Sequence, residues 1–541
     1  MGGMKTALVA LNVSYIHKNL ALRWLLVTKP DYQEAKIFEG LTKDPLDLVE
    51  PILDYAPDVV ALSVYIFNIE ATLQLIRALR KQQPTLLIVA GGPEATYNPK
   101  PLWEAGIDRL YRGEAELVFW KDLDGDKVGG VMHHPEDSAD VLRADLSELE
   151  TLRSPYFLDV DQADLDRRYL YVESSRGCPF GCAYCLAAQD PHVRLFSEDY
   201  MTTFFSRLRQ TSVRQVKFLD RTFNLNKDRA LRLAQQCLDL PQGMNVHVEL
   251  VGDRLDERLI QLFAQHPERF RLELGVQSLK PSTLKSVGRH SDLPKLLTVI
   301  DRFSHADVLQ HTDLIAGLPQ EDLQSFQVSY NGLIRLNPHE VQVGILKVLH
   351  GSALENLRHA QGYRVEESAP YTVRQTPWMS EEDLKIVEAV ALATEKAYNS
   401  QKLRLELDLV FQMADPFSVM ARIGNQLQRL SKPYTNQAFY RAVLEAMSLV
   451  IDPQKATALV MHAYLRNANT LPPKLIDTST DKRMLNALRK QLNLPDSVKH
   501  LIITDRIDDQ PGQLVWCYGT PPQTPTPITI DSLPPVEKDL A

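Results

Sequence analysis

Along the first 145 positions, apolar residues fall in short unbroken runs at residues 6–12, 59–64, 86–91 and 109–113. Between them lie stretches such as residues 70–83, where apolar positions recur every three or four residues. The runs read as strands buried on both faces, and the three-to-four period as helices packed against them. Strand and helix in alternation predict a parallel sheet whose ligands bind beyond the carboxyl ends of its strands. An Asp-rich connector follows at about residues 137–166. The alternation then resumes, with runs at 170–173, 216–219, 246–251, 271–275, 308–315 and 341–348. Six strands with intervening helices predict a full or partial β/α barrel. Beyond residue 369 the helical period takes over (381–398, 416–430, 436–450), and a Pro/Thr-rich stretch at 520–535 reads as extended or unstructured. The expected partition is a Rossmann-like domain at 1–145, a linker at 146–168, a barrel at 169–360, and a mainly helical region with an extended tail at 361–541.

Composition narrows the class. With 44% hydrophobic and 24% charged residues, the 541-residue chain has the usage of a soluble globular protein. Its net charge of −9 gives no sign of a nucleic-acid-binding surface. No apolar run approaches the roughly 18 residues needed to cross a bilayer. The apolar start at residues 4–11 fits a buried first strand better than a signal peptide, because no small-residue cleavage site follows. Nucleic acid and membrane are therefore not expected as partners. Only five cysteines occur, and three lie within eight positions. That usage fits a reducing cytoplasm and a single metal site rather than a disulfide framework. Cys237 and Cys517 read as isolated core thiols.

The clustered cysteines are Cys178, Cys182 and Cys185, in Arg-Gly-Cys-Pro-Phe-Gly-Cys-Ala-Tyr-Cys, directly after the first strand of the second alternating region. Three thiolates so close in sequence can wrap one corner of an iron–sulfur cluster, leaving one iron open to a small molecule. A structural zinc site is the alternative, with His192, seven residues on, as fourth ligand.

Cys-x₃-Cys-x-aromatic-Cys after a first barrel strand resembles the signature of the radical S-adenosylmethionine (SAM) enzymes. The resemblance covers about residues 170–351, and is closest to the branch that includes oxygen-independent coproporphyrinogen oxidase and the cobalamin-dependent members. It implies a 4Fe–4S cluster on the three cysteines, and SAM cleaved to a 5′-deoxyadenosyl radical. It also implies SAM contacts from Tyr184, Asp220, Thr222, Glu249, Gln277, Arg289 and Asp313. Here Asp220-Arg221-Thr222 stands where many members carry a Gly-Gly-Glu type motif. Residues 4–140 resemble the flavodoxin-like cobalamin-binding domain fused ahead of many such barrels. That implies cobalamin contacts from Asn12, Tyr15, Ser63, Tyr65, Asn68, Gly91, Gly92, Pro93, Glu94, Gly113 and Glu114. The Asp-x-His-x-x-Gly motif that supplies a lower cobalt ligand elsewhere is absent, and His17 lacks its context. Such a domain can also keep its fold without its cofactor. Lys347, His350, Tyr371 and Trp378 continue a resemblance to a subgroup with an uncharacterised helical domain, and are substrate-side candidates by position.

The expected activity is methylation of an unactivated carbon on a small molecule or peptide, with cobalamin as methyl carrier. Flavodoxin or ferredoxin is the kind of one-electron donor expected. A radical rearrangement or cyclisation without methyl transfer, and a non-catalytic zinc or iron–sulfur module, are the alternatives.

Overall fold

The computed structural model describes residues 3–358, 362–467, 482–494, 498–505, 507, 513–519 and 527–530. The chain gathers into two compact units. The first takes in residues 1–312, 317–321 and 346–380, and the second residues 313–316, 322–345 and 381–541.

The first unit opens with a six-stranded sheet of β1 (Lys5–Asn12), β2 (Glu34–Leu41), β3 (Val59–Ser63), β4 (Leu87–Gly91), β5 (Arg109–Tyr111) and β6 (Val131–Met132), in the order β2-β1-β3-β4-β5-β6. The first five strands pair in parallel and β6 runs antiparallel to β5. This is the flavodoxin-like order, with its crevice where the chain reverses between β1 and β3. The strands are apolar throughout because both faces are covered. Ala7, Val9 and Leu11 enter one core with Val60, Leu62 and Ile88. Leu8 and Ala10 enter the other with Val59, Ala61, Val89 and Tyr111. β2 was not among the expected strands. It is an edge strand whose outward residues include Glu34 and Lys36, and only Phe38 is fully buried, so it lacks the continuous apolar run.

The Asp-rich connector is pinned rather than loose. Arg23 Nη2 meets Asp161 at 2.7 Å and Arg23 Nη1 meets Glu39 at 3.0 Å. Lys18 Nζ reaches Asp161 at 3.1 Å and Asp164 at 3.0 Å. Asp161 is 2% exposed, so its charge is tolerated only because these cations surround it.

The second sheet of this unit begins at β7 (Leu170–Val172). A two-residue ladder between β8 (Ser175–Arg176) and β9 (Arg194–Leu195) closes off the cysteine loop. β10 (Gln215–Phe218), β11 (Asn245–Leu250), β12 (Phe270–Gln277) and β13 (Leu309–Ala316) follow, in the order β7-β10-β11-β12-β13. β7 to β12 pair in parallel. β7 pairs only with β10 among the described residues, so of the two expected forms the partial barrel is the one found. Val216, Val246, Val248, Leu272 and Leu274 are buried, while the alternating Lys217, His247, Glu249 and Glu273 are half-buried on the other face. That period of two puts apolar residues under the helices and polar ones inside the barrel. After the barrel the chain returns to this unit: β15 (Arg364–Val365) pairs with β16 (Val373–Gln375), while Ala369 packs on the core of the first sheet.

In the second unit, the later half of β13 lies beside β14 (Glu340–Ile345). Helices Glu381–Ala393, Arg404–Met413, Pro416–Gln428, Asn436–Met447 and Pro453–Asn467 make up most of the rest. The expected helical region also holds an antiparallel sheet of β17 (Val498–Asp505), β18 (Gln513–Gly519) and β19 (Pro527–Ile530). β19 falls inside the Pro/Thr-rich stretch. Cys517 lies on β18, with its side chain outside what is described. Among the described residues no helix is long and apolar enough to cross a membrane.

Candidate functional site

The cysteine loop is shaped by its own backbone. Cys178 N donates to Asp190 O at 2.8 Å, Cys185 N to Cys182 O at 3.0 Å and Ala183 N to Val287 O at 2.9 Å. Gly177 has φ +92°, and a Cβ there would lie 2.5 Å from His192 O. Only glycine allows that approach. His192 thus meets the loop through its backbone carbonyl, and among the described residues no three His, Cys, Asp or Glu side chains form a ready single-ion site.

The three sulfurs nevertheless share one environment. Burial pushes the Cys185 thiol up, and the Cys182 and Cys178 sulfurs push it further. Cys182 is 8% exposed, with Arg289 Nη1 3.9 Å from its sulfur. Thr222 Oγ1 stands 3.8 Å from Cys178 Sγ. One buried and two half-buried thiols that feel one another, flanked by Arg289 and Thr222, fit a cluster, whose ligands sit at separate corners.

The SAM candidates fall into two groups. Tyr184, Thr222 and Arg289 surround the thiols; burial pushes the Tyr184 hydroxyl up. Arg289 also donates to Gly275 O. Gln277 closes β12 with φ +68° and a buried Oε1 that has no partner, an orphan acceptor beside a strand end. Glu249 faces Arg221 Nη1 at 3.6 Å. Asp220 is engaged elsewhere: it accepts from Ser174 N at 2.9 Å and from the Ser174 and Ser175 hydroxyls at 2.6 Å each. At 1% exposure it clamps the stem of the cysteine loop. Asp313 lies on β13 in the second unit.

A cavity of about 760 Å³ lies in the first unit, within the usual range of cofactor sites. One wall is Asn12, Ser63, Tyr65, Gly91, Gly92, Pro93, Gly113 and Glu114, from the loops that end β1, β3, β4 and β5. The other is Tyr171, Glu173, Arg176, Gly177, Leu219 and Arg221, from the barrel. Gly92 has φ +105°, and a Cβ there would lie 2.6 Å from Val64 O. Glu116 Oε2 is a buried, unpartnered atom on the same wall. Bare backbone, small side chains and an orphan polar atom fit a large flat cofactor with amide side arms.

Three cobalamin candidates do not line the cavity. Tyr15 is largely exposed and donates to Asp164 Oδ2 at 3.0 Å. Asn68 pins Leu11 O and Ser63 O through its Nδ2. Glu94 accepts from Tyr371 Oη at 2.8 Å. His350 packs edge-on to Tyr371, with ring centres 4.6 Å apart. Lys347 is exposed and bridges to Thr372, and Trp378 packs near Tyr363. His17 lines the cavity with its Nδ1 held 2.6 Å from Tyr171 Oη, and burial lowers its pKa.

Sequence reasoning passed over the ion network that joins the two walls. Arg176 reaches Glu114 at 3.0 Å, Glu116 at 2.9 Å and Glu173 at 2.9 Å. Arg194 reaches Glu114 at 2.6 Å and Asp190 at 2.8 Å. The only signal was an Arg next to the Gly-Cys pair and two Glu in Arg-Gly-Glu-Ala-Glu; their pairing needs the fold. Burial alone would raise Glu114, but Arg194 and Arg176 outweigh it and hold it down at about 2. Its contribution to stability is therefore complete above the ordinary value of 4.5 and lost as pH falls towards 2. Removing the central cation should be costly. Arg176→Met is expected to lose about 3–5 kcal/mol at neutral pH, read from urea denaturation, with the deficit shrinking in acid as the carboxylates neutralise.

Comparison with known proteins places two domains on this geometry. Residues 6–120 match the B12 binding domain and residues 172–331 the radical SAM superfamily. These matches imply cobalamin on the first sheet, and a 4Fe–4S cluster with SAM on the partial barrel. The chain is 25% identical over 395 residues to 2-(S-pantetheinyl)-carbapenam-3-carboxylate methyltransferase of Streptantibioticus cattleyicolor, covering 66% of this chain and 58% of that one. It is 25% identical over 344 residues to the cobalamin-dependent radical SAM methyltransferase TokK of Streptomyces tokunonensis, covering 56% and 50%. It thus spans little more than half the length of these relatives. The structure of TsrM from Kitasatospora setae, with tryptophan and a SAM analogue bound, shares the fold at a TM-score of 0.56 and 15% identity, covering 68% of this chain and 80% of that one. The cobalamin-dependent radical enzyme OxsB shares it at 0.57 and 13%, covering 91% and 75%.

Proposed function

Because this chain joins a B12-binding domain to a radical SAM domain, we propose that it is a cobalamin-dependent radical SAM methyltransferase acting on an unactivated carbon of a small molecule or peptide. The observation that carries the reading is the shared cavity, walled on one side by the strand-end loops of the first sheet and on the other by the mouth of the partial barrel. When bound, the cluster and SAM supply a 5′-deoxyadenosyl radical, and cobalamin supplies the methyl group.

The chain's own residues hold and separate these groups. Cys178, Cys182 and Cys185 would ligate the cluster. Arg289 and Gln277 would take the polar ends of SAM, a guanidinium suiting a carboxylate. Asp220 fixes the loop stem through Ser174 and Ser175. Gly91 and Gly92 leave backbone open for the corrin. His350 and Tyr371, beside Glu94, would border the substrate. Reduction needs an external one-electron donor, of the flavodoxin or ferredoxin kind, in a reducing cytoplasm.

The test uses anaerobically reconstituted protein and candidate substrates deuterated at the target carbon. The expected products are labelled 5′-deoxyadenosine and S-adenosylhomocysteine, both stoichiometric with methylated product. 5′-Deoxyadenosine without S-adenosylhomocysteine would replace methyl transfer by rearrangement or cyclisation. Unlabelled 5′-deoxyadenosine would remove hydrogen abstraction.

A further inference from the structure

The proposed function requires electrons from outside the chain, and the following inference rests on it. Away from the shared cavity, a second depression of about 500 Å³ is lined by Asp253, Arg254, Leu284, Lys285, Arg289 and His290 among others. Its wall is one side chain from the metal loop, because Arg289 holds Nη1 3.9 Å from Cys182 Sγ. Its rim touches the same loop. The Arg254 guanidinium lies 4.9 Å from the centre of the Phe180 ring, between Cys178 and Cys182 in sequence. Pro179 and Gly181 are exposed. A Cβ built on Gly181 would meet nothing within 4 Å, although Gly288 packs closely against its carbonyl. The cysteine loop therefore comes to the surface here.

The charge at this rim opposes that of the whole molecule. Arg254 and Lys285 are exposed, and Arg254 meets Phe180 rather than a carboxylate. The two rim acids already serve the backbone. Asp253 Oδ2 accepts from Asp292 N at 2.8 Å, and Asp292 Oδ1 accepts from Lys295 N at 3.2 Å, capping the helix Leu293–His305. In a chain of net charge −9, a cationic rim beside the metal loop would steer an acidic partner to that point.

We propose that Arg254, Lys285 and the exposed turn 179–181 form the docking surface for an acidic one-electron carrier protein. The carrier would give up one electron to the cluster that Cys178, Cys182 and Cys185 would hold. No bond forms or breaks, and no proton moves.

The test compares full-length, reconstituted parent protein with the double variant Arg254→Glu, Lys285→Glu and its neutral counterpart Arg254→Gln, Lys285→Gln. One reductant is an acidic flavodoxin kept reduced by its reductase. The other is dithionite, which needs no docking. With flavodoxin at low salt, 5′-deoxyadenosine formation is expected to fall about tenfold or more in the Glu pair and less in the Gln pair, the gap closing at high salt. With dithionite, both variants should stay within about twofold of the parent. Unchanged flavodoxin-driven rates would overturn the docking surface. An equal loss with both reductants would overturn it too, since the residues would then support the site itself. A parent that makes no 5′-deoxyadenosine with either reductant brings down the functional reading first, and the docking surface with it.

Discussion

Cys182→Ala protein, reconstituted anaerobically with iron and sulfide, is expected to hold almost no iron and to form no 5′-deoxyadenosine. Cys182 is the middle of three clustered sulfurs and the most buried of them. Two thiolates cannot hold a cluster that needs three. The one other cysteine whose side chain is described, Cys237, is fully buried in a helix of the barrel, with its thiol pushed up by burial and Arg269 and Arg209 as its charged neighbours. Iron and sulfide assays with an absorption spectrum measure the first effect, and product chromatography the second. Parent-level iron in this variant, with SAM cleavage intact, would defeat the assignment of the three cysteines.

Gly92→Val should give the complementary result, with cobalamin retention reduced at least about tenfold while iron content stays near that of the parent. The new Cβ would stand 2.6 Å from Val64 O, and the left-handed backbone adds about 1–2 kcal/mol of strain for a non-glycine residue. The loop would have to move out of its place on the cavity wall. Gly125→Val is the control. It has φ +93°, with nothing within 4 Å of an added Cβ, and does not line the cavity. Equal cobalamin loss in both variants would trace the effect to general backbone strain. Loss in Gly92→Val alone assigns it to the loop. Gel filtration with hydroxocobalamin, followed by absorbance, decides between them.

The alternation of strand and helical patterns made both sheets legible in the sequence: the first sheet's strands, covered on two faces, are apolar throughout, and the barrel's strands alternate apolar with polar residues. β2 escaped because an edge strand needs only one buried residue, Phe38. The cysteine triad stood out as a candidate cluster site because its three members are local, all on one loop. Residues that act through distant partners were not. Arg176 is unremarkable in sequence until the fold brings Glu114, Glu116 and Glu173 around it. Asp220 sits where family likeness suggests a ligand contact, yet which donors take its oxygens depends on Ser174 and Ser175 lying across the neighbouring strand end. β18 was legible in part, since Leu514 to Cys517 read as strand core, whereas β17 was passed over inside the expected helical region and β19 lies in the Pro/Thr-rich stretch that read only as extended or unstructured.

The Arg176 and Arg194 cross-ties have a bearing on how such chains can be rebuilt. Glu114 and Glu116 lie in the corrin-side fold while Arg176 and Arg194 lie in the barrel, so neither half is a free-standing cassette. A chimaera that grafts this barrel behind another first domain leaves Arg176 with Glu173 alone and Arg194 with Asp190 alone. One that exports the first domain carries two unmatched acids at the lip of its pocket. Any successful swap would have to move positions 114, 116, 173, 176, 190 and 194 together.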